Sequence, residues 1–249
     1  MIRVENLSYR YDREAPDVLR GVSLTFTEGT HTALIGPNGC GKTTLIKHLN
    51  ALLFPTAGAV SVDGMKTSDA SSIREIRQRV GMVFQNPESQ IVGMTVEEDV
   101  AFGPGNLALP PAEIRLRVDN CLKMVGMTGL EKRAPHTLSG GEKRLLSIAG
   151  VLAMDPRYIA FDEPTAYLDP AGKQRVLAII RRLHREGMAI IHIAHDMRDV
   201  AGADRIVVMD QGAILIEGTP AEVFGRAGLL KSVGLDIPAG IGMSEGFVS

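Results

Sequence analysis

The apolar run Thr32-Ala33-Leu34-Ile35 leads straight into Gly36-Pro37-Asn38-Gly39-Cys40-Gly41-Lys42-Thr43-Thr44. Strand, G-x-x-x-x-G-K-T and helix start is the context that a phosphate-binding loop requires. The glycines let the backbone turn tightly and approach an oxygen with no side chain in the way. Successive amides then point inward as an anion nest, backed by the positive end of the following helix. Lys42 is placed to reach the β- and γ-phosphates, and Thr43 offers a hydroxyl to Mg²⁺. A plain glycine-rich turn is the bland alternative, and Gly-Lys-Thr-Thr behind a strand disfavours it. The chain is expected to bind a nucleoside triphosphate.

A second strand, Ile159-Ala160-Phe161, delivers two carboxylates at its end, Asp162 and Glu163. Asp162 suits a carboxylate that holds Mg²⁺ directly or through water. Glu163 suits the base that orients an attacking water, provided the backbone turns at the strand end to aim both side chains one way. Leu138-Ser139-Gly140-Gly141-Glu142 opens an apolar helix, and Ser139 with two glycines there predicts a second anion site. One γ-phosphate does not need two such sites from one chain. The second site is therefore expected to serve a nucleotide on a neighbouring molecule, which implies a dimer.

The elements that position these residues read as alternating strands and helices. Val22, Leu24 and Phe26 alternate with Ser23, Thr25 and Thr27, a half-buried strand. Leu45, Ile46, Leu49, Leu52 and Leu53 are expected on one face of the helix after the phosphate loop. Val60 and Val62 mark a strand ended by Asp63-Gly64, and Val80 to Phe84 a buried one. Asn86 to Pro111, rich in Gly and Pro with an acidic patch at Glu97-Glu98-Asp99, reads as an irregular opening to a helical insert. Ile114, Val118, Cys121, Leu122 and Val125 keep helical spacing. A helix after Gly141, a strand at 158–161, a helix at 170–186, a strand at 188–194 and a hairpin at 206–216 follow, with Thr219-Pro220 starting another helix. The predicted class is α/β: a mostly parallel core sheet with an antiparallel part near the N-terminus.

The 249 residues are 45% hydrophobic and 22% charged, ample for a core. Net charge is −2 with no block of like charge, which argues against nucleic acid as the main partner. Two cysteines make no disulfide framework. Met1-Ile2-Arg3-Val4-Glu5 carries charge where a signal peptide needs an apolar run. No apolar stretch approaches the ~18–20 residues of a membrane span. A soluble protein of a reducing compartment is expected, and a peripheral membrane role stays open.

In this order, the phosphate loop, Gln85, Leu138-Ser139-Gly140-Gly141-Glu142, Asp162-Glu163, Leu168-Asp169 and His195 resemble the ATP-binding subunit of an ABC transporter. The resemblance covers residues 2 to about 225. It implies a P-loop NTPase core with an antiparallel N-terminal β subdomain and a helical insert. It implies an ABC ATPase domain over 1–225, the insert with the signature at about 87–150, and a short C-terminal extension at 226–249. It also implies a head-to-tail dimer with two ATPs sandwiched at the interface. Gly36, Asn38, Gly39, Cys40, Gly41, Lys42, Thr43 and Thr44 would hold phosphate. Tyr11 resembles the aromatic that stacks on adenine, with Tyr9 as a rival. Gln85 resembles the residue that senses Mg²⁺ and the γ-phosphate and relays to a membrane partner. Ser139, Gly140, Gly141 and Glu142 resemble the signature that acts on the partner's ATP. Asp169 resembles the link between the two sites, and His195 the switch histidine on the γ-phosphate. Catalysis would rest on Glu163, His195 and Lys42, and the metal on Thr43, Gln85 and Asp162. His192, three residues before His195, would lie on the opposite face of a strand, so the two cannot share an ion. Cys40 reads as small filler in the loop.

The stretch from Asn86 to Pro104 resembles the energy-coupling factor ATPases, which power uptake of vitamins or of nickel and cobalt ions. Gly234-Leu235-Asp236-Ile237-Pro238 strengthens that resemblance. It implies a protein peripheral on the cytoplasmic face of the membrane. Its partners would be itself or a paralogous ATPase, a transmembrane coupling protein and, indirectly, a substrate-binding membrane protein. Ile91, Val92, Met94 and Val96 are candidates for the coupling surface. Two departures stand out. Leu145 sits where many members carry Arg, a contact that Arg144 replaces or that is absent, and the C-terminal extension is short. The alternatives are a conventional ABC transporter ATPase and a soluble ABC ATPase outside transport. The single phosphate loop and the lack of a heptad run or basic block disfavour the soluble class.

Overall fold

The structure is a computed structural model and describes residues 1–235. It divides into two compact units, one of residues 1–77 with 189 onward, the other of residues 78–188. The chain begins with β1 (Ile2–Tyr9), β2 (Leu19–Phe26) and β3 (His31–Ile35). Then come α1 (Lys42–Leu49), β4 (Ala57–Val62), β5 (Met65–Lys66) and α2 (Ile73–Arg79). β1 pairs antiparallel with both β2 and β4, and β4 with β5, in the sheet order β2-β1-β4-β5. This is the antiparallel N-terminal part expected from the alternation at Val22, Leu24 and Phe26, all three buried. Asp63 (φ 48°) and Gly64 (φ 85°) make the two-residue turn that joins β4 to β5. α1 stops at Leu49, short of Leu52 and Leu53. Ala51 takes φ 56° and Leu52 is exposed, so the apolar spacing outruns the helix.

The middle unit holds β6 (Val80–Val83), α3 (Val96–Asn106), α4 (Pro111–Val125), α5 (Gly140–Leu152), β7 (Tyr158–Asp162) and α6 (Pro170–Arg185). β6 and β7 are parallel neighbours, with Val83 opposite Phe161. Every residue of both is buried, as expected of a parallel sheet covered on both faces. The acidic patch does not lie in irregular chain: it is the first turn of α3. Thr95 and Glu98 form a reciprocal capping box, and three carboxylates favour the positive helix end. That start outweighs Gly103, Pro104 and Gly105 inside the helix. Glu97 meets Lys132, and buried Asp99 accepts from the amides of Val92 (2.7 Å) and Gly93 (2.9 Å). The acidic patch thus fastens the segment before it.

The first unit resumes with β8 (Ala189–Ile193), α7 (Met197–Val200), β9 (Arg205–Asp210), β10 (Ala213–Gly218), α8 (Pro220–Phe224) and α9 (Ala227–Ser232). β3 lies between β8 and β9, parallel to both, and β10 closes an antiparallel hairpin on β9. Thr219 caps α8 with Glu222 in a second capping box, and Pro220 occupies its first turn. Buried Ala33, Ile35, Ile206, Val208, Val223 and Leu230 pack together beneath these helices. Of the stretch 234–238, Asp236, Ile237 and Pro238 lie outside the described residues. Among the described residues no helix is long and apolar enough to cross a membrane.

Candidate functional site

The phosphate loop joins the end of β3 to α1, where parallel strands open and ligands of α/β sheets bind. Gly36 takes φ 152°, and a Cβ there would stand 2.2 Å from the Met209 carbonyl oxygen, so only glycine fits. Gly41 is the N-cap of α1 at φ 106°, and no side chain caps the helix. The first-turn amides of α1 are thus not taken by a capping side chain, the condition an anion needs. Lys42 is 5% exposed and folds back on its own loop, donating Nζ to the carbonyls of Gly36 (2.7 Å) and Pro37 (2.9 Å). A buried ammonium on two neutral carbonyls would gain by exchanging them for phosphate oxygens. Asn38 and Gly39 are exposed at the loop tip, Thr43 is half-buried and Thr44 buried.

Cys40 is buried, with its Sγ 3.8 Å from Lys42 Nζ. Burial raises its pKa, and Lys42 opposes the rise. Tyr11 is exposed, its hydroxyl 3.0 Å from that of Thr44 and its ring edge-on to Tyr9 at 5.0 Å. Tyr9 instead turns its ring to His48 of α1 at 4.7 Å. Of the two tyrosines, Tyr11 is the one that presents a surface beside the loop. Register places Leu34 opposite Ile193, so Gly36 and exposed His195 each stand two residues beyond a matched pair, past neighbouring strand ends. His192 lies inside β8, fully buried, and stacks on His31 at 5.7 Å. His195 lies past the strand, so the rule of opposite faces is not what separates the two histidines.

In the other unit, Asp162 is the last residue of β7 and is buried. Glu163 follows with φ 49°, the turn that re-aims its side chain. Gln85, beyond β6, donates Nε2 to Glu163 Oε2 at 2.7 Å, so the structure brings these two predicted residues together. Ser139 caps α5: its hydroxyl accepts from the Glu142 amide (3.3 Å), and Glu142 accepts from the Ser139 amide (2.8 Å). That contact, aided by Arg133 and Arg175, lowers the Glu142 pKa. Ser139 and Glu142 therefore have a structural task whatever else they do. Gly140 and Gly141 line a cavity of about 360 Å³ with Leu145, Tyr167, Asp169 and Arg175. Asp169 is the N-cap of α6 and accepts from the Gly172 amide at 3.1 Å.

Sequence reasoning missed Tyr167 and Gln90, and left open what Arg144 contacts. Tyr167 is 95% exposed at φ 62° on the rim of the cavity, an uncommon conformation for a bulky residue. Gln90 stands in for a strand neighbour, accepting from the Phe84 amide and donating to the Met82 carbonyl, each at 2.8 Å. Arg144 is buried and donates to the carbonyls of Phe84 and Gln85. Leu145 is buried in the cavity wall and makes no such contact possible, so Arg144 is the arginine that reaches this backbone. Among the candidates for a coupling surface, Val92 and Met94 are exposed at 58% and 81%, whereas Val96 is buried and belongs to the core.

The family model described as ABC transporter matches residues 19–166, more than half of the chain. The cobalt import ATP-binding protein CbiO of Syntrophus aciditrophicus is 58% identical over 96% of this chain and 85% of its own length. The energy-coupling factor transporter ATP-binding protein EcfA1 of Caldanaerobacter subterraneus is 50% identical over 96% and 87%. Among solved structures, CbiO1 of Clostridium perfringens, part of the ABC transporter complex CbiONQ, superposes with TM-score 0.83 at 37% identity, covering 93% of each chain. A dimeric ATP-binding cassette in a post-hydrolysis state, bound to ADP and Pi, superposes with TM-score 0.79 at 29% identity over 88% of this chain and 98% of that one. The chain belongs to the ABC transporter family and has the ABC ATPase fold. Within that family it is an ATP-binding, ATP-hydrolysing subunit similar to those of energy-coupling factor and cobalt-import systems.

Proposed function

We propose that this chain energises a membrane importer of the energy-coupling factor type, one that takes up a vitamin or a nickel or cobalt ion. The observation that carries this is likeness over 96% of the chain to subunits named for cobalt import and for energy coupling. The ATPase does its work on nucleotide: binding closes a head-to-tail dimer with itself or a paralogue, and hydrolysis lets it reopen. The protein sits peripherally on the cytoplasmic face, against a transmembrane coupling protein. Exposed Val92 and Met94, held by Asp99 on the segment after Gln85, are the surface we assign to that partner.

Within the site, Lys42 and the first-turn amides of α1 hold the triphosphate, and Tyr11 stacks on the base. Asp162, Thr43 and Gln85 offer oxygen donors, which suit Mg²⁺, an ion that keeps waters and takes one or two protein oxygens plus those of the phosphates. Asp162, Thr43 and Gln85 would hold it, and when bound it neutralises charge on the β- and γ-oxygens. Glu163 orients and deprotonates the attacking water, with Gln85 steadying its carboxylate. His195 donates to the γ-phosphate. Ser139, Gly140 and Gly141 complete the partner's site, and Asp169 links the two. Catalysis is positioning and charge stabilisation.

The test is a pull-down of the tagged chain from detergent-solubilised native membranes with mass spectrometry. A polytopic coupling protein and a small substrate-binding membrane protein are expected. Recovery of soluble partners alone moves the chain to the ABC ATPases that work outside transport.

A further inference from the structure

The backbone at Phe84 and Gln85 is held by side chains rather than by a strand neighbour. Gln90 clasps the Phe84 amide and the Met82 carbonyl from one side. From the other side Arg144, the largest of the fully buried side chains, spans the carbonyls of Phe84 and Gln85 with both terminal nitrogens of its guanidinium. A planar fork matches two neighbouring acceptors in a way a point charge cannot. Burial works against the guanidinium charge and nearby Asp162 supports it. Lys143 adds an ion pair to Glu88 a few residues on. Gln85, whose main chain is fixed in this way, carries the amide that holds Glu163. The same helix opens with the Ser139–Glu142 cap. One turn of α5 therefore separates the signature from the residue that fixes the backbone of Gln85.

We propose that Arg144 is a positioning residue for hydrolysis: by clamping the Phe84–Gln85 backbone it sets the Gln85 amide on the Glu163 carboxylate, and so ties α5 to the geometry of the catalytic base. This rests on the assignment of Glu163 above. The role falls to this chain's Arg144 because the next position is Leu145, an apolar wall residue of the neighbouring cavity. Losing the clamp lets the Gln85 amide drift from the carboxylate while the phosphate loop, built from other elements, stays intact. The effect should fall on turnover and spare nucleotide affinity.

The experiment uses the full chain and measures kcat, KM and ATP affinity for Arg144→Met, Arg144→Lys, Gln85→Ala and Arg144→Met with Gln85→Ala. Expected for Arg144→Met is a fall in kcat of about tenfold or more, with ATP affinity within about twofold. Arg144→Lys, which keeps charge and one donor group, should recover part of the rate. Adding Arg144→Met to Gln85→Ala should cost nothing further, because both act through one contact. Should Arg144→Met fail to fold, Arg144→Lys combined with Gln85→Ala makes the same comparison. A full additional loss in the Gln85→Ala background, or an unchanged kcat in Arg144→Met, overturns the proposal. Glu163→Gln run alongside separates the two ideas. If that variant turns over normally, the base assignment fails. If it is inert while the Arg144 and Gln85 effects add, the positioning role alone fails.

Discussion

Replacing Lys42 by Met removes the ammonium and keeps most of the buried stem. Before nucleotide binds, Lys42 spends its donors on the carbonyls of Gly36 and Pro37. Binding exchanges these two bonds for bonds to ionised phosphate oxygens, which are stronger because both partners carry charge. The exchange gains about 2–3 kcal/mol for two bonds. At about 1.4 kcal/mol per decade, Lys42→Met should weaken ATP binding roughly 30- to 150-fold. The fold itself loses two donors and is relieved of a buried charge. These effects oppose, so Tm should move by less than about 4 °C. The assay is competition of ATP against a fluorescent analogue at equilibrium, with thermal unfolding as the control. A dissociation constant within about threefold of the parent, in a variant that melts normally, would refute the account of the loop.

Other expectations concern the thiols and the surface assigned to the membrane partner. Burial pushes Cys121 up to about 11 and also raises Cys40, so both stay protonated at pH 8. Because the folded chain holds the Cys121 proton more tightly than the unfolded one, that contribution to stability is intact below pH 9 and is lost as pH rises through about 11. Alkylation of the native chain at pH 8 should therefore be slow, and fast after denaturation; rapid native labelling counted by mass spectrometry would contradict this. Val92→Asp with Met94→Asp changes two exposed side chains, so Tm should hold while co-purification of the coupling protein is lost. Undiminished recovery of that protein would remove this segment from the interface.

The parts of the site that are legible in the sequence are those whose residue types are forced locally. Gly41 takes φ 106° at the start of α1, and Ser139–Glu142 is a capping box at fixed spacing. Buried parallel strands such as β7 are legible as short unbroken apolar runs. What escapes depends on distant chain. α3 was hidden by Gly103, Pro104 and Gly105, because its stability comes from its cap and its packing rather than its propensities. α1 was overextended, because Leu52 and Leu53 keep the spacing after Ala51 has left the helical region. In the sequence Arg144 is legible only as a stand-in for the arginine that Leu145 replaces. Its partners are main-chain oxygens some 60 residues earlier, which no local pattern announces. Val96 is a candidate for the coupling surface by resemblance, alongside Val92 and Met94, yet it is the first residue of α3 and fully buried.

The most direct measurement is ATP turnover and ATP binding by Glu163→Gln in the full chain, with its size followed by light scattering as MgATP is added. The account expects turnover to vanish, ATP affinity to survive, and ATP to trap a dimer that ADP does not support. Parental turnover by this variant would show that Glu163 does not activate the water, and the catalytic assignment would fall.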